Sequence, residues 1–418
     1  MKTLLYFEEY ESNLSHELLK RKDIEPVIIR TNKNLKFFSE KYLEQTKNTN
    51  HYLIDYYGDI NTEVSKFNKW LNKKNIKLDY FLNDSEYYLE FSNKFARELG
   101  LNALTDEQIS WVRDKINMKD KLREIGINTV NYSKVNSKKD IKEYFLLNNG
   151  NRIIFKPRRG MNSINTYIIN SLEDIENLDI DITPEKYMVE DFCYDREWSI
   201  ESLIQNGKVL DSYVTYIPNP TIWASISNDL NCHMTVPKTP AHFNFVPKEF
   251  IQQIVSGMNL KNGAMTIEVF VSDKGDVKAS ELGWRLPGCQ ATLNHSYSYG
   301  IDIYNSLLDI AIDKQVELKY RDKIISVGDL YLPNKEGVVE KITPLEDLLT
   351  MNGVINGEMF AKKGEYQKKR RVGNDASGWI QVVGEDQYET LEKMKKVFNA
   401  FEIQTTNDKG EKKYVKKI

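Results

Sequence analysis

Two glutamates sit on neighbouring strand-like runs, Glu268 in Met-Thr-Ile-Glu-Val-Phe and Glu281 in Ala-Ser-Glu-Leu-Gly-Trp-Arg. The run Ser-Asp-Lys-Gly-Asp over 272–276 makes a turn between them, and a hairpin of this length sets the two carboxylates side by side. Two buried acids repel each other and destabilise a fold. A hard divalent cation such as Mg²⁺ removes that cost and takes oxygen ligands of this type. Arg285, four residues after Glu281, adds a planar charge suited to phosphate oxygens. With Lys156 upstream, the cluster points to an ATP-using enzyme. The hairpin by itself leaves a plainer alternative open, two exposed acids on a solvated turn.

Lys156 opens Phe-Lys-Pro-Arg-Arg-Gly-Met-Asn-Ser. A strand delivers the lysine, Pro157 stops the strand, and Gly160 permits a turn whose backbone N–H groups can meet phosphate. No Gly-Lys-Ser/Thr follows, so this is not a Walker A loop. A lysine that ends a strand is otherwise usually a solvated end. Further on, Met-Val-Glu-Asp-Phe (188–192) runs into Asp-Arg-Glu-Trp-Ser-Ile (195–200). Such a connector offers backbone groups to an adenine edge, with Glu190 as acceptor for the exocyclic amine and Glu197 for ribose hydroxyls. The alternative is a charged linker.

Placing these residues requires several layers. A chain of 418 residues exceeds one ordinary core. Runs at 3–7, 26–31, 51–55 and 78–82 read as short buried strands, with helices at 11–22 and 61–74, which indicates a parallel α/β domain. No GxGxxG follows the first strand, so a dinucleotide is not expected there. A helix is predicted over 85–99, with Ser85 as N-cap and Gly100 as stop. A helical region follows at 106–125. Strands near 152–156, 165–169 and 186–192 and a helix at 171–178, with a Ser171/Asp174 capping box, make 127–190 a small α+β lid. Alternation over 197–217 around Asn206-Gly207 is a hairpin signal. Five prolines between 218 and 247 exclude a long helix there. Helices are predicted at 247–258, 301–313 and 386–399, the last closing a tail of short strands with Gly turns. The expected divisions are 1–105, 106–190, 191–320 and 321–418.

Composition excludes other classes. Charged residues are 28% of the chain and the net charge is −3, so nucleic acid is not favoured and the Lys-rich C-terminal end reads as solvated. No apolar run reaches 18 residues, so no membrane span is expected, and the N-terminal run is too short for a signal peptide. Cys193, Cys232 and Cys289 show no CxxC or CxxH spacing and fit reduced thiols in the cytoplasm. The five histidines show no HExxH, so zinc is not expected.

The order of parts is the specific signal: Asp114-Lys115, then Lys156-Pro157-x-x-Gly160-x-x-Ser163, then Glu190-Asp-Phe-x-x-x-x-Glu197, then Glu268, then Glu281-x-x-x-Arg285. In this the chain resembles the ATP-grasp superfamily, most of all its carboxylate–amine ligases, including bacterial L-amino acid ligases and the ligase part of carnosine synthase. The resemblance covers nearly the whole chain. Gly100 to Lys119 is similar to the family's entry to its nucleotide-binding region. Val338 to Val383, with Arg371-Val-Gly and Ser377-Gly-Trp-Ile, is similar to its small C-terminal subdomain. The implied fold is an N-terminal parallel α/β domain, a small α+β lid, a mostly antiparallel central sheet and a C-terminal β-rich subdomain.

The resemblance also implies roles. Lys115 and Lys156 match lysines that approach the nucleotide phosphates. Gly160, Asn162 and Ser163 match the mobile loop over the triphosphate. Glu190, Asp191 and Phe192 match the adenine-binding hinge, and Glu197 the ribose-binding glutamate. Glu268 and Glu281 match Mg²⁺ ligands, with Mn²⁺ an alternative, and Arg285 matches the catalytic arginine at the γ-phosphate and acyl phosphate. Two positions depart from the pattern: Gly283 stands where Asn is common, and Arg158-Arg159 stand in a loop where small residues are common. The arginines read either as phosphate or carboxylate contacts or as surface charges. The implied activity is ATP-dependent joining of a small-molecule carboxylate to an amine through an acyl phosphate. Transfer to a carrier protein, activation of bicarbonate and a non-catalytic ATP-binding role are the alternatives. A homodimer is compatible with this class. The 213–245 segment, with Tyr216, Trp223 and His233, is expected to face the substrates, with His295 near Arg285.

Overall fold

Short runs rich in Leu, Ile and Val pair in parallel at the start of the chain. They are β1 (Lys2–Phe7), β2 (Ile24–Thr31), β3 (Asn50–Ile54) and β4 (Tyr80–Asn83), in the order β3-β2-β1-β4. Parallel strands covered on both faces are apolar throughout, and Leu4, Leu5, Val27, Ile28 and Ile29 are buried. The computed structural model describes residues 1–220, 229–368 and 375–406. Trp223, Arg371 and the Lys-rich end lie outside the described residues.

A second layer is antiparallel. Strands β5 (Tyr132–Val135), β6 (Ile153–Pro157), β7 (Tyr167–Ile169) and β8 (Tyr187–Asp191) pair in the order β5-β8-β6-β7. Helices Lys138–Leu147 and Leu172–Glu176 flank it, and Ile141, Phe145, Phe155 and Ile175 share its core. The Ser171 capping box forms as predicted: its Oγ accepts from the Asp174 N–H at 3.2 Å, and an Asp174 oxygen accepts from the Ser171 N–H at 3.0 Å.

The largest sheet carries most of the remaining chain. Its first strands are β9 (Arg196–Gln205), β10 (Lys208–Tyr216), β11 (Asn231–Thr235), β12 (Gly263–Val271), β13 (Val277–Gly283) and β14 (Ser326–Tyr331). Beyond these come β15 (Gly337–Ile342), β16 (Val354–Met359), β17 (Tyr366–Gln367), β18 (Gly378–Gly384) and β19 (Ile403–Thr405). The eight-stranded order is β13-β12-β9-β10-β11-β14-β18-β16, and β17-β15-β19 form a small sheet beside it. Strands from the C-terminal quarter therefore extend the sheet that β9–β13 begin. Asn206 (φ 54°) and Gly207 (φ 74°) are both left-handed, the turn that β9 and β10 require. Helix Pro247–Gly257 packs Ile251, Ile254 and Val255 beneath Ile200, Met265 and Ile267. Trp284 closes this core against Gly263, where a Cβ would stand 2.8 Å from the indole ring. No helix among the described residues is long and apolar enough to cross a membrane.

Three local expectations change. The helix predicted from Ser85 begins at Leu89, and Ser85 Oγ instead accepts from the Tyr88 N–H at 3.0 Å in the turn before it. Helix Ala291–Tyr299 was not anticipated. Its buried side chains include Thr292, Asn294, His295 and Ser298, so no apolar stripe announces it. The helical region predicted over 106–125 is broken at Asp114 into Asp106–Arg113 and Lys115–Glu124.

The break has a clear cause. Asp114 caps the second helix, accepting from the N–H groups of Ile116 (3.1 Å) and Asn117 (3.4 Å). The same carboxylate holds Arg158, with Nε to Oδ1 and Nη2 to Oδ2 both at 3.0 Å. The Lys115 N–H then donates to the Arg158 carbonyl at 3.0 Å. Lys115 is thereby fixed at the first helical position, beside the loop after β6. Asp114→Ala should cost about 3 kcal/mol, since it removes a cap and strands a buried guanidinium. Asp114→Asn should cost less, because the cap survives. Urea unfolding of both variants checks this ordering.

Candidate active site

A cleft of about 270 Å³ is bordered by the loop after β6, the β8–β9 connector and the β12–β13 hairpin. The residues that the sequence suggested for nucleotide, metal and acyl phosphate all line it: Lys115, Lys156, Gly160, Asn162, Ser163, Glu190, Asp191, Phe192, Glu197, Glu268, Glu281 and Arg285. They come from five separate stretches of chain.

Glu268 and Glu281 lie directly opposite each other in the β12–β13 register. A bulge follows at once, since Val269 pairs with Ala279. Bulges re-aim side chains next to sites. The two carboxylates have different partners. Lys115 Nζ is 2.7 Å from Glu281 Oε1 and also donates to the Gly160 carbonyl at 2.9 Å. Burial disfavours the Glu281 anion, but Lys115 and Lys156 outweigh it and hold the carboxyl below its ordinary range. Burial and the nearby carboxylates Glu197 and Glu281 instead push Glu268 up to about 8. Three oxygen-donating acids thus converge with an excess of negative charge at Glu268. A hard divalent cation fits that donor set. A Cβ at Gly283 would meet only the Arg285 side chain, at 3.6 Å, so the backbone leaves room for a larger residue there.

Lys156 and Glu190 face each other across β6 and β8, with Nζ 2.6 Å from Oε1. Lys119, fully buried, stands 3.3 Å from the other oxygen of Glu190. Burial opposes the Glu190 anion, yet Lys156 and Lys119 hold its pKa near 2. Burial likewise opposes the charged form of Lys156, but Glu190 and Glu281 raise its pKa above the lysine norm. Both oxygens of the Glu190 carboxylate thus stand near lysines. Lys119 was missed, although its spacing of one helical turn from Lys115 places it on the same face. The connector continues with Asp191, which accepts from Tyr144 Oη at 2.7 Å and Asn131 Nδ2 at 2.9 Å. The Phe192 N–H donates to the Arg152 carbonyl at 3.2 Å.

The β6–β7 loop turns just beyond its glycine. Its left-handed residues are Asn162 (φ 53°), Ser163 (φ 55°) and Asn165 (φ 56°). The Ile164 N–H donates to the Met161 carbonyl at 3.1 Å, closing a tight turn. Arg158 is not a surface charge: it is buried and paired with the carboxylates of Asp114 and Glu185. Arg159 is half-exposed and reaches Glu90 at 3.0 Å.

Arg285 is held by the N-terminal part of the chain. Its Nε donates to Glu86 Oε2 at 2.8 Å, and the other Glu86 oxygen takes Arg113 at 2.6 Å. Asp84 accepts from the Leu286 N–H at 2.7 Å, and burial pushes its carboxyl up to about 6. No sequence signal marked Glu86 or Asp84, because only tertiary packing brings them to Arg285. At the far end, Thr215, Asn231 and His233 line the cleft from the 213–245 segment. Tyr216 instead packs against Trp198, with ring centres 4.7 Å apart and the rings tilted by 39°. His295 is buried behind the cleft, bonded to Glu201 and Thr215 at 3.0 Å each.

Glu268 makes stability depend on pH in a stated direction. Its folded pKa of about 8 exceeds the ordinary 4.5, so the folded form holds a proton that the unfolded chain has lost between those values. That stabilisation is complete below pH 4.5 and disappears as pH rises through 8. Without divalent cation, the melting temperature should fall over this window. Glu268→Gln should flatten the fall, and Mg²⁺ should raise the melting temperature of the unaltered chain most at the alkaline end.

Comparison with known proteins bears on the fold. Residues 330–406 match the family model described as L-amino acid ligase C-terminal domain 2. Over 277 residues the chain is 20% identical to the L-arginine-specific L-amino acid ligase of Bacillus subtilis, covering 63% of this chain and 65% of that one. The matched part is thus just under two thirds of that relative's length. Among solved structures the chain is similar to L-amino acid ligase from Bacillus licheniformis, with a TM-score of 0.75 at 15% identity, covering 97% of this chain and 99% of the other. It is also similar to the biotin carboxylase domain of Hydrogenobacter thermophilus 2-oxoglutarate carboxylase, a dimer solved with MgADP and bicarbonate. That TM-score is 0.63 at 14% identity, covering 96% and 90% of the two chains. At such identities the structural likenesses establish the fold. The chain has the ATP-grasp fold found in carboxylate–amine ligases, and its residues 330–406 are similar to the L-amino acid ligase C-terminal domain 2.

Proposed function

We propose that the protein is an ATP-dependent ligase joining a carboxylate, an amino acid, to an amine, with release of ADP and phosphate. The observation that carries this reading is the convergence of Lys115, Lys156 and Arg285 on the paired carboxylates Glu268 and Glu281 in one cleft. The domain match at 330–406 favours an amino acid substrate.

In this reading Lys115 and Lys156 hold the triphosphate, and the turn at Gly160, Asn162 and Ser163 covers it. The Asp191–Phe192 connector holds the adenine, and Glu197 the ribose. Glu268 and Glu281 hold Mg²⁺, or Mn²⁺ in its place. When bound, the cation neutralises charge between the phosphate oxygens. A substrate carboxylate oxygen attacks the γ-phosphorus, and ADP leaves. Arg285, anchored by Glu86, steadies the transferred phosphoryl group and the resulting acyl phosphate. The amine, having shed its proton, attacks the acyl carbon, and phosphate departs with the electrons of the C–O bond. No nucleophilic side chain takes part, and the chain contributes position and electrostatics. Four parts, bounded near residues 105, 190 and 320, a cytoplasmic location and a homodimer complete the proposal.

The similar fold solved with bicarbonate supplies a second reading, in which bicarbonate is the acid. Phosphate release from MgATP, measured with the amino acids singly and in pairs and with bicarbonate, separates the two. Release that needs an amino acid pair and vanishes in Glu281→Gln supports the ligase. Release with bicarbonate alone supports the alternative. Arg285→Ala should lower turnover about 10²- to 10³-fold. Its circular dichroism should match the unaltered chain, which separates lost chemistry from lost fold.

A further inference from the structure

Beyond the paired glutamates, three donors of different chemistry meet at the far end of the cleft. His233 comes from β11, Asp329 from β14 and Cys289 from the turn before helix Ala291–Tyr299. One ligand atom of each lies within 4.8 Å of the others. His233 Nδ1 stands 3.2 Å from Asp329 Oδ2. Nitrogen and oxygen ligands of a tetrahedral zinc, each about 2.0–2.2 Å from the ion, lie roughly 3.3 Å apart. The histidine–aspartate pair therefore already has the spacing of one edge of such a site.

The surroundings are built in the same sense. Asp329 is fully buried, and its other oxygen accepts from Asn294 Nδ2 at 2.6 Å. Asn294 is held in turn by Gln381, whose Nε2 donates to its Oδ1 at 2.8 Å. Outer hydrogen bonds of this kind orient metal-binding carboxylates. Cys289 is exposed to the cleft, and Tyr331 hydrogen-bonds its thiol. Moving the sulfur toward the other two donors requires side-chain rotation on an exposed turn. His233 and Cys289 both line the cleft, which leaves a fourth position open to a water or a substrate group. The donor set also differs in kind from Glu268 and Glu281. Oxygen-only ligands suit Mg²⁺, whereas nitrogen, sulfur and oxygen together suit a borderline-soft ion.

We propose that His233, Cys289 and Asp329 form a three-ligand site for a divalent cation of the zinc class, separate from the carboxylate pair of Glu268 and Glu281. Binding replaces the thiol proton and the proton shared by His233 and Asp329, both of which pass to solvent. The proposal does not depend on which reaction the cleft performs.

Titration of the full-length, metal-free protein with Co²⁺ and then Zn²⁺ tests it. The expected result is one equivalent of Co²⁺ with a sulfur-to-cobalt charge-transfer band that Zn²⁺ abolishes. The band should disappear in Cys289→Ser and His233→Ala and persist in Cys193→Ser and Glu268→Gln. Asn294→Ala should weaken Zn²⁺ about 10- to 100-fold, as loss of an outer partner does. Circular dichroism shows whether each variant is folded, and Asp329→Asn provides a mild alternative where another fails. Absence of the band in the unaltered protein, or its survival in Cys289→Ser, overturns the proposal. Equal loss in Glu268→Gln overturns it as well, because the carboxylate pair would then be the binding site.

Discussion

The charge balance inside the cleft constrains the rest of the structure. Glu197 and Glu281 stand near Glu268, Glu190 stands near Glu281, and Lys115, Lys156 and Lys119 answer them. Isolated ions of either sign are costly in such a setting. Their mutual attraction repays this cost only when the geometry is held firmly. The fold supplies that holding from several layers at once. The break at Asp114 fixes Lys115, the β6–β8 pairing sets Lys156 against Glu190, and the β12–β13 hairpin sets Glu268 against Glu281. Glu268 is the member of this group whose negative charge burial and neighbouring carboxylates most oppose.

The same arrangement explains why charged side chains far from the chemistry are buried. Arg158 is removed from the loop surface because Asp114 needs a partner, and that partner anchors the start of a helix. Glu86 reaches in from the N-terminal sheet to hold Arg285. The N-terminal part of the chain therefore helps to form the cleft. Lys115, bonded to both Glu281 and the Gly160 carbonyl, ties the hairpin to the β6–β7 loop.

Elements with strong local signals were legible from the chain. The parallel strands, the Ser171 capping box, the Asn206-Gly207 turn and helix Pro247–Gly257 follow from apolar runs, caps and turn chemistry. Helix Ala291–Tyr299 was not legible, because it buries hydroxyls, an amide and an imidazole where a helix usually buries aliphatic groups. Gly160 illustrates a different limit. A glycine marks where a turn is permitted, but Asn162 and Ser163 adopt the left-handed conformation that makes it.

By itself the sequence determined which residue types carry charge and in what order they occur. It also placed Glu268 and Glu281 on the two strands of one hairpin, and the bulge beside them then set the two directly opposite each other. Tertiary structure alone decided the partners. Glu190 took two lysines, Arg158 took Asp114, and Arg285 took Glu86 from 199 residues away. His233, Cys289 and Asp329 likewise come together only through the order of the large sheet and the turn that follows β13. The reason is physical: spacing along the chain specifies geometry within one element, whereas a buried charge is matched by whatever counter-charge packing brings within reach.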